Sequence, residues 1–334
     1  MARVLVTTAY ADPEPLATFR RFVSLDRFGA HQPVTDAHDA DVILFVENSH
    51  YADDYFYRRL KRHRLVKAHR EKCFMYNEKD RVWCVLPGLY PSICRRHYDP
   101  SRVRSGAYVQ VKNPLVGAAE TRRIEPDLLF SFMGQVRSPL RRALMRLGHP
   151  RACLEDTSGA FQAFSGDPPR WTLVRRYAEV VGRSRFVLCP RGGGQCTFRL
   201  FETLSAGRVP VILADQWVPP RGPAWEEFSV RVPEREIESI PARLEQLEHD
   251  WVEMGRRARL EWERWFSPEV LFHRMVETCL ELKARRRLPE WLRQRLPTRG
   301  GVEVALRFGL GRLRSGARCR ASSPGPSDSP PCLP

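Results

Sequence analysis

The chain has 334 residues, of which 43% are hydrophobic and 10% are aromatic, so its composition is that of a folded protein rather than a disordered one. Single hydrophobic cores stop growing efficiently at roughly 250 to 300 residues, which favours two domains here. The formal charge is +16, but residues 284–334 hold eleven Arg against three acidic residues and supply half of that excess. The moderately basic remainder suits an anionic small molecule at least as well as a nucleic acid.

Cysteine usage and the N-terminus indicate the cellular environment. Nine Cys with no CxxC pair argue against a zinc ribbon and against a disulfide framework, so we expect buried reduced thiols. The opening MARVLVTTAYADPEP has too short an apolar run for a signal peptide, and no run approaches the roughly 18 apolar residues of a membrane span. We expect a cytoplasmic protein whose peripheral contact with a membrane, if it has one, is made by the basic tail.

The first half of the chain alternates strands with helices. ARVLVTTAY (2–10) and DADVILFVENS (39–49) are predicted strands on either side of a helix over LATFRRFVSL (16–25). This spacing is typical of a βαβ unit in a parallel sheet. Residues 51–70 are predicted to form one helix, and KCFMYNEKD (72–80) a strand that ends in a polar loop.

A second α/β series begins near residue 128. The strand LLFSFMG ends at Gly134, and the helix SPLRRALMRL follows with Ser138 as its N-cap and Pro139 in its first turn. The next predicted elements are a helix, a strand, a helix, a strand and a helical region, at 171–184, 185–190, 197–207, 209–213 and 239–282. The sequence therefore predicts two similar α/β domains.

We place the domain boundary where residues 115–127 lose their periodicity. The prediction is one α/β domain over residues 1–125 and a second α/β domain over residues 126–283. Residues 284–334 form a basic, Ser/Pro-rich tail. Such a composition buries too little apolar surface to fold, so the tail is predicted to be largely disordered.

The segment CPRGGGQCTFRLFETL places a glycine-rich loop between a strand and a helix. In open parallel sheets ligands bind at such strand ends, where helix N-termini favour anions. Gly192 and Gly193 let the backbone approach a phosphate, Arg191 and Arg199 can add charged hydrogen bonds, and the Glu202 carboxylate can accept two hydrogen bonds from a ribose. In the competing interpretation the glycines form only a loose turn, and Arg199 and Glu202, which are three residues apart, form only an ion pair on the surface of the helix. Neither GxxxxGK[ST] nor GxGxxG occurs, which excludes a kinase-like loop and a Rossmann dehydrogenase.

Further motifs surround the glycine-rich loop. In chain order they are CPRG (189–192), Arg199 with Glu202, AGRVPVILAD (206–215) and WEEFSVRVPE (225–234). In this order they resemble the exostosin family of glycosyltransferases, and FSFMGQVRSPLRR (130–142) resembles the F-x-G loop of that family. The resemblance covers roughly residues 128–282.

The resemblance implies a GT-B architecture, with two Rossmann-like domains facing a cleft. The N-terminal domain, residues 1–125, would lie on the acceptor side, and the C-terminal domain, residues 126–283, would bind the nucleotide-sugar donor. It implies an inverting glycosyltransferase that moves a sugar from a UDP- or GDP-sugar to a glycan or lipid-linked acceptor, in polysaccharide or glycoconjugate synthesis. Glu202 would bind the donor ribose, and Arg191 and Arg199 would neutralise the diphosphate. No bound metal or cofactor is expected, since basic residues and a helix N-terminus carry the charge of the leaving group.

Other strand ends supply further candidates for the donor site. Gln135 and Arg137 follow the strand LLFSFMG, and Asp215 follows VPVIL. Arg137 can reach the diphosphate, and Asp215 is expected to border the donor sugar. Trp217, two residues on, either stacks on a sugar ring or packs under the loop.

An inverting transfer needs a general base, which the N-terminal domain should supply across the cleft. The candidates at early strand ends are Glu47, His50, Glu78 and Asp80. We favour Asp80, with Glu78 second, because MYNEKD is a dense polar loop; the competing interpretation is that these are solvated loop charges. Residues 39–41 read Asp-Ala-Asp but precede their strand, which argues against a metal-binding DxD.

Two rival functions remain. A nucleic-acid-binding protein would fit the isoelectric point of 9.9, but no standard module motif appears and half of the charge lies in the tail. A noncatalytic carbohydrate-binding relative would keep the fold and lose the donor carboxylate, whereas Glu202 is present.

Overall fold

A computed structural model describes residues 1–10, 13–47, 54, 57–80, 82–109, 113–159, 171–286 and 288–290. Met1–Glu290 form one compact unit, and the predicted disorder of the tail concerns residues that lie almost wholly outside the described ones. Within the described ranges, no helix combines the length and the apolar character needed to cross a membrane.

Six parallel strands form the N-terminal sheet. They are β1 (Ala2–Thr7), β2 (His31–Pro33), β3 (Val42–Glu47), β4 (Cys73–Asn77), β5 (Gly88–Leu89) and β6 (Val103–Arg104), in the order β2-β1-β3-β4-β5-β6. The central strands β3 and β4 are buried along their whole length, which explains their nearly continuous apolar sequences. β1, the helix α1 (Pro13–Leu25) and β3 confirm the predicted βαβ pattern.

The predicted single helix over residues 51–70 is wrong. The structure has two short helices, α2 (Arg58–Arg62) and α3 (Arg64–Ala68). His63 separates them, because its backbone is extended (φ −59°, ψ 137°) and its Nδ1 accepts a hydrogen bond from the backbone N–H of Leu65 at 3.3 Å. The Asp54 carboxylate accepts two backbone hydrogen bonds at the start of α2, at 2.7 and 2.8 Å. Because these side chains cap helix ends, they divide a stretch whose amphipathic sequence predicts one continuous helix.

Five parallel strands form the C-terminal sheet. They are β7 (Leu128–Gly134), β8 (Ala152–Asp156), β9 (Ser184–Pro190), β10 (Val209–Leu213) and β11 (Val230–Arg231), in the order β11-β10-β9-β7-β8. The strands predicted at 128–134, 185–190 and 209–213 are confirmed. The edge strands β8 and β11 were not predicted.

The remaining helices flank the sheets. They are α4 (Ala119–Arg122), α5 (Pro139–Leu144), α6 (Trp171–Gly182), α7 (Phe198–Ser205), α8 (Ile240–Gln246), α9 (Trp251–Trp265) and α10 (Pro268–Ala284). The prediction for the start of α5 is confirmed: the Ser138 hydroxyl accepts a hydrogen bond from the backbone N–H of Arg141 at 3.3 Å, and Pro139 lies in the first turn.

The last helix returns to the first sheet. The α10 side chains of Phe272, Met275 and Val276 are buried in one core with Val4 of β1 and Phe19 of α1. The predicted C-terminal domain, 126–283, therefore includes a helix whose apolar face is buried in the N-terminal half.

The two parallel sheets with their flanking helices confirm the α/β class and the GT-B prediction. The predicted boundary between residues 125 and 126 falls between β6 and β7, and the division of the chain into domains stays a prediction. Links between the halves include a hydrogen bond from the backbone N–H of Arg95 to the carbonyl of Gln216 at 2.8 Å. Residues from both halves therefore border the space at the carboxyl ends of the strands, where ligands of parallel sheets bind.

Candidate active site

The glycine-rich loop follows β9 at the carboxyl edge of the C-terminal sheet. The backbone N–H of Arg191 donates to the carbonyl of Leu213, the last residue of β10, at 3.0 Å. A methyl group built on Gly192 would lie 3.3 Å from Arg141 Nη2, and one built on Gly193 would lie 2.7 Å from Asp80 Oδ2. The glycines thus let the loop lie close to charged side chains from both halves of the chain.

Arg199, in the first turn of α7, is a buried cation with unpaired donors. Its side chain is held by a hydrogen bond from Nη2 to the carbonyl of Met133 at 2.7 Å and lies over the Phe132 ring, 4.6 Å from the centroid. The residue is 7% exposed, and its Nε and Nη1 have no hydrogen-bond partner in the described protein. A buried charge in this state costs free energy unless an anion supplies acceptors. Arg199 is therefore a candidate for binding an anion.

Gly134, at the end of β7, is needed for this arrangement. A methyl group built on it would lie 2.5 Å from Arg199 Nη2. The glycine of the motif FSFMG thus makes room for the guanidinium of Arg199, which is a role that sequence analysis did not assign to it.

A second arginine, Arg141 of α5, reaches the same loop. Its Nε donates to the carbonyl of Arg191 at 3.2 Å, and its Nη1 donates to the carbonyl of Gln135 at 2.9 Å. Burial, followed by the nearby charge of Arg199, lowers the pKa of Arg141 to about 10. The guanidinium is still charged at neutral pH, so two like charges share the site, and among the described residues no carboxylate forms an ion pair with Arg199. The charge of Asp80 offsets part of the repulsion on Arg141, and an anionic ligand would offset more of it.

Arg191 makes an ion pair within the protein. Its Nε and Nη2 donate to the two carboxylate oxygens of Glu234 at 2.7 and 2.9 Å, and the hydrogen bond to Glu234 raises the pKa of Arg191. Asp215 and Glu234 also exchange hydrogen bonds, from Asp215 N to Glu234 Oε1 at 3.3 Å and from Glu234 N to Asp215 Oδ1 at 3.1 Å. These contacts tie the ends of β9 and β10 to the segment after β11. The charge of Arg191 is thus already matched by that of Glu234.

Glu202 lies one turn after Arg199 on α7 and is oriented by α6. Its Oε2 accepts a hydrogen bond from the Tyr177 hydroxyl at 2.8 Å. Burial, followed by the charge of Glu202, raises the pKa of Tyr177 well above its ordinary value, so Tyr177 stays a donor. The Tyr177 ring also lies 5.8 Å from the Arg199 guanidinium. One tyrosine therefore contacts both residues to which we assign donor binding.

Asp80 is exposed and lies against the glycine-rich loop from the N-terminal side. Its Oδ1 accepts a hydrogen bond from the Tyr108 hydroxyl at 3.3 Å, and that hydroxyl also hydrogen-bonds to Ser92 Oγ at 2.6 Å. A methyl group built on Gly194 would lie 2.8 Å from Asp80 Oδ1 and 2.4 Å from Ser92 Oγ. The carboxylate is accessible to a substrate and lies beside the candidate donor loop.

Glu78, the second candidate base, has a different environment. It is 7% exposed, and its Oε1 accepts hydrogen bonds from the Tyr76 hydroxyl at 2.6 Å and from the backbone N–H of Val109 at 2.8 Å. Burial and the adjacent Glu78 raise the pKa of Tyr76 well above its ordinary value. Glu78 is therefore buried and joins the end of β4 to the segment after β6 through its Oε1.

The structure places the other candidates outside this cluster. Arg137 is exposed, and its carbonyl accepts a hydrogen bond from Arg142 Nη1 at 3.3 Å. Trp217 is 1% exposed and packs edge-on against Trp225, which fits the interpretation as a packed residue and not as a sugar platform. Glu47 accepts hydrogen bonds from the Thr8 hydroxyl at 2.9 Å and from the backbone N–H of Ala9 at 2.7 Å.

Three further residues were considered in the N-terminal half: the two acidic residues of the Asp-Ala-Asp motif and His50. Asp39 and Asp41 lie 3.5 and 3.8 Å from Arg3 nitrogens, as ion pairs at the surface. His50 lies outside the described residues.

Of the predicted residues, the structure brings Asp80, Gly192, Gly193, Arg199 and Glu202 to one region. Sequence analysis missed Arg141, Tyr177 and the ion-pair role of Glu234. Arg141 and Glu234 lie within the motifs FSFMGQVRSPLRR and WEEFSVRVPE. The signal for Arg141 was its place in the first turn of a helix that begins just after a strand end.

Comparison with known proteins identifies relatives of this region. Residues 59–247, more than half of the chain, match the model of the Exostosin GT47 domain. The Exostosin-1 homolog of Caenorhabditis elegans is 39% identical over 77 residues, which are 22% of this chain and 19% of that protein. Exostosin-1 of Drosophila melanogaster is 29% identical over 118 residues, which are 34% of this chain and 15% of that protein. The chain thus covers less than a fifth of the length of these curated relatives.

A solved structure, a glycosyltransferase from Rickettsia africae, is similar over 84% of this chain and 98% of its own, with a TM-score of 0.44 and 8% identity.

Proposed function

Since the chain belongs to the exostosin GT47 family, we propose that it is a glycosyltransferase that moves a sugar from a nucleotide-sugar donor to an acceptor hydroxyl. The match over residues 59–247 confirms the resemblance to this family for residues 128–247 and extends it into the N-terminal half. One observation carries the proposal: Arg199 is 7% exposed, and two of its donor nitrogens have no hydrogen-bond partner in the ranges that the structure describes. A diphosphate offers the charge and the acceptors that this guanidinium lacks.

The diphosphate would lie between the glycine-rich loop and the two positively charged guanidinium groups of Arg141 and Arg199. Both guanidiniums are fixed by backbone carbonyls, Arg141 by those of Arg191 and Gln135 and Arg199 by that of Met133. A fixed cation needs no reorganisation when charge develops on the departing diphosphate. This supports transfer without a metal ion, from either a UDP- or a GDP-sugar. Arg191 would act through its ion pair with Glu234, which holds the loop, more than through its charge.

The ribose would be held by Glu202. A carboxylate accepts hydrogen bonds from both hydroxyls of a ribose, and Tyr177 fixes its orientation through a hydrogen bond of 2.8 Å. Because Glu202 lies one helical turn beyond Arg199, the spacing suits a ligand whose sugar and diphosphate are adjacent.

Asp80 would serve as the general base. Its exposed carboxylate takes the proton from the acceptor hydroxyl as the hydroxyl oxygen bonds to the anomeric carbon of the donor sugar. The bond from that carbon to the diphosphate oxygen breaks in the same step, and the nucleoside diphosphate leaves. This single displacement inverts the anomeric configuration. We propose a glycan or a lipid-linked acceptor in polysaccharide or glycoconjugate synthesis.

A thermal-shift screen of UDP, GDP, uridine, guanosine, UDP-sugars and GDP-sugars tests the donor site. We expect a nucleoside diphosphate to raise the melting temperature of the wild type and to have little effect on Glu202→Ala. Glu253→Ala is the matched control, because Glu253 is an exposed helix carboxylate that binds Arg256 and Arg257 at the surface. The assignment of the donor site is wrong if no nucleotide stabilises the wild type or if Glu202→Ala responds as the wild type does. Binding without any transfer or release of the nucleotide would favour the noncatalytic alternative.

A further inference from the structure

A cluster of metal-ligand side chains lies at the amino ends of the N-terminal strands, away from the candidate active site. His31 is the first residue of β2, and His273 and Glu277 are one turn apart on α10. One ligand atom of each residue lies within 4.8 Å of those of the other two. The cluster thus joins a short edge strand to the helix that returns from the C-terminal half.

Three of the four imidazole nitrogens of this cluster have no hydrogen-bond partner in the described part of the chain. His31 is 8% exposed, and neither of its ring nitrogens has a hydrogen-bond partner; the same holds for Nδ1 of His273 in the described protein. Buried polar atoms are normally satisfied, so unpaired nitrogens on two neighbouring rings call for a ligand. Glu277 brings a carboxylate oxygen 3.2 Å from His31 Nε2.

The distances and the donor types agree with a tetrahedral ion. Zinc–nitrogen and zinc–oxygen bonds of roughly 2.0 to 2.1 Å place two ligand atoms about 3.3 Å apart, close to the 3.2 Å between His31 Nε2 and Glu277 Oε1. The wider separations close by rotation of Glu277, which is exposed, and of His273, which is half-buried. Two imidazoles with one carboxylate suit zinc, whereas magnesium and calcium prefer oxygen ligands alone.

The charges around the cluster act on a bound ion in both directions. Arg27 and Arg274 lie over the Phe28 ring, which stacks on His273, and their charges oppose a dication. The Glu277 carboxylate offsets part of that repulsion.

We propose that His31, His273 and Glu277 bind one zinc ion, with water as the fourth ligand, and that this ion fastens α10 to β2. The sequence leads us to expect a donor site without a metal. The proposed ion agrees with that expectation, because it takes no part in the transfer of the sugar. It is also independent of the proposed glycosyltransferase activity. An ion that binds only the folded chain stabilises it in proportion to the logarithm of its concentration over its dissociation constant.

The test measures metal content and melting temperature of the full chain, with no affinity tag, after treatment with a chelator. We expect one zinc ion per chain after dialysis against zinc chloride, and a rise in melting temperature of about 3 °C or more that magnesium chloride does not produce. Binding of cobalt should give the visible absorption of a tetrahedral site.

Both effects should be lost in His273→Gln and in Glu277→Gln. The control is His249→Gln, whose ring is 75% exposed and pairs with Asp250 at the surface; it should bind zinc as the wild type does. Circular dichroism and nucleotide binding show whether each variant is folded, and Glu277, being exposed, is the safer change. The proposal is overturned if the wild type takes up no zinc, or if both variants keep the ion and the stabilisation.

Discussion

At the scale of single residues, Arg199 is a buried cation that donates one side-chain hydrogen bond to Met133, while its Nε and Nη1 have no partner among the residues that the structure describes. We predict that Arg199→Met weakens binding of a nucleoside diphosphate by about 10- to 100-fold, since a hydrogen bond to a charged group contributes roughly 1.5 to 3 kcal/mol. The free energy of unfolding should change by less than about 2 kcal/mol, because removal of an unpaired charge offsets the lost bond to Met133.

Calorimetric titration with the diphosphate and with its parent nucleoside checks this prediction for Arg199. The nucleoside should bind the wild type and Arg199→Met about equally, because it lacks the groups that the guanidinium contacts. Equal losses for both ligands would mean that Arg199 shapes the ribose pocket instead.

The two candidate bases differ in access, and their isosteric amides should separate them. We predict that Asp80→Asn lowers kcat by about 10²- to 10⁴-fold, because the amide cannot take the proton of the acceptor. The dissociation constant of the nucleotide should stay within about threefold. Initial rates of nucleoside diphosphate release in the presence of acceptor, together with titration of the nucleotide, measure the two effects.

Glu78→Gln provides the comparison for Asp80→Asn. The Glu78 carboxylate accepts hydrogen bonds from Tyr76 and from the backbone of Val109, so we expect the amide to lower the melting temperature and to affect kcat less than Asp80→Asn does. The opposite result, a stable Glu78→Gln without turnover and an active Asp80→Asn, would assign the base to Glu78.

The residues of the site differ in how far the sequence could reveal them. Arg199 and Glu202 are three positions apart on one helix, so a local pattern was sufficient to suggest them. The contacts that complete the site join distant positions: Arg141 lies 50 residues from Arg191, Glu234 lies 43 residues from Arg191, and Tyr177 lies 25 residues from Glu202. Such pairs depend on strand order and helix orientation, which no short motif specifies.

At the scale of elements, the glycine-rich loop is a point of contact between the two halves. A methyl group on Gly194 would lie 2.4 and 2.9 Å from Ser92 Oγ and Cβ. We predict that Gly194→Ala lowers kcat by at least about tenfold and the free energy of unfolding by about 1 to 3 kcal/mol, because the crowded side chains must move apart. Denaturant unfolding and initial rates measure the two quantities.

Gly192→Ala is the matched control for Gly194→Ala. Its methyl group would lie 3.3 Å from the flexible end of Arg141, and neither glycine is among the residues with positive φ. Backbone strain is thus the same in both variants, and Gly192→Ala should lower the free energy of unfolding by less than Gly194→Ala does. Equal losses of unfolding free energy in the two variants would mean that the loop conformation, and not the contact with Ser92, determines the cost.

The elements that the sequence predicted well are those with a single strong signal. β9 and β10 are continuous apolar runs buried in the middle of a sheet, and such runs are recognisable without a partner. β8 lies at an edge, is only partly buried and contains Glu155 and Asp156, so it lacks the apolar pattern of a strand. The amphipathic face of α10 predicted a helix but did not specify which sheet it covers, because either sheet buries such a face equally well.

At the scale of the whole molecule, the formal charge of +16 is distributed unevenly. Residues 284–334 carry eleven Arg against Glu290, Glu303 and Asp328. Each basic residue near an anionic membrane surface contributes about 1 kcal/mol to binding, and salt screens that attraction. We propose that the tail holds the chain at a membrane surface, where a lipid-linked acceptor would be found.

We predict that the full chain sediments with vesicles containing anionic lipid, and that high salt releases it. The tail variant replaces four arginines with glutamine, at 307, 312, 314 and 318. Its partition onto these vesicles should be at least about 100-fold weaker, since four such charges contribute at most about 4 kcal/mol to the free energy of binding.

The control variant replaces four exposed arginines of the folded part with glutamine, at 20, 21, 235 and 243. It loses the same charge and should bind vesicles nearly as the wild type does. If the two variants weaken binding equally, net charge and not the tail determines the attraction; if vesicles of neutral lipid bind the chain as well, charge is not its cause.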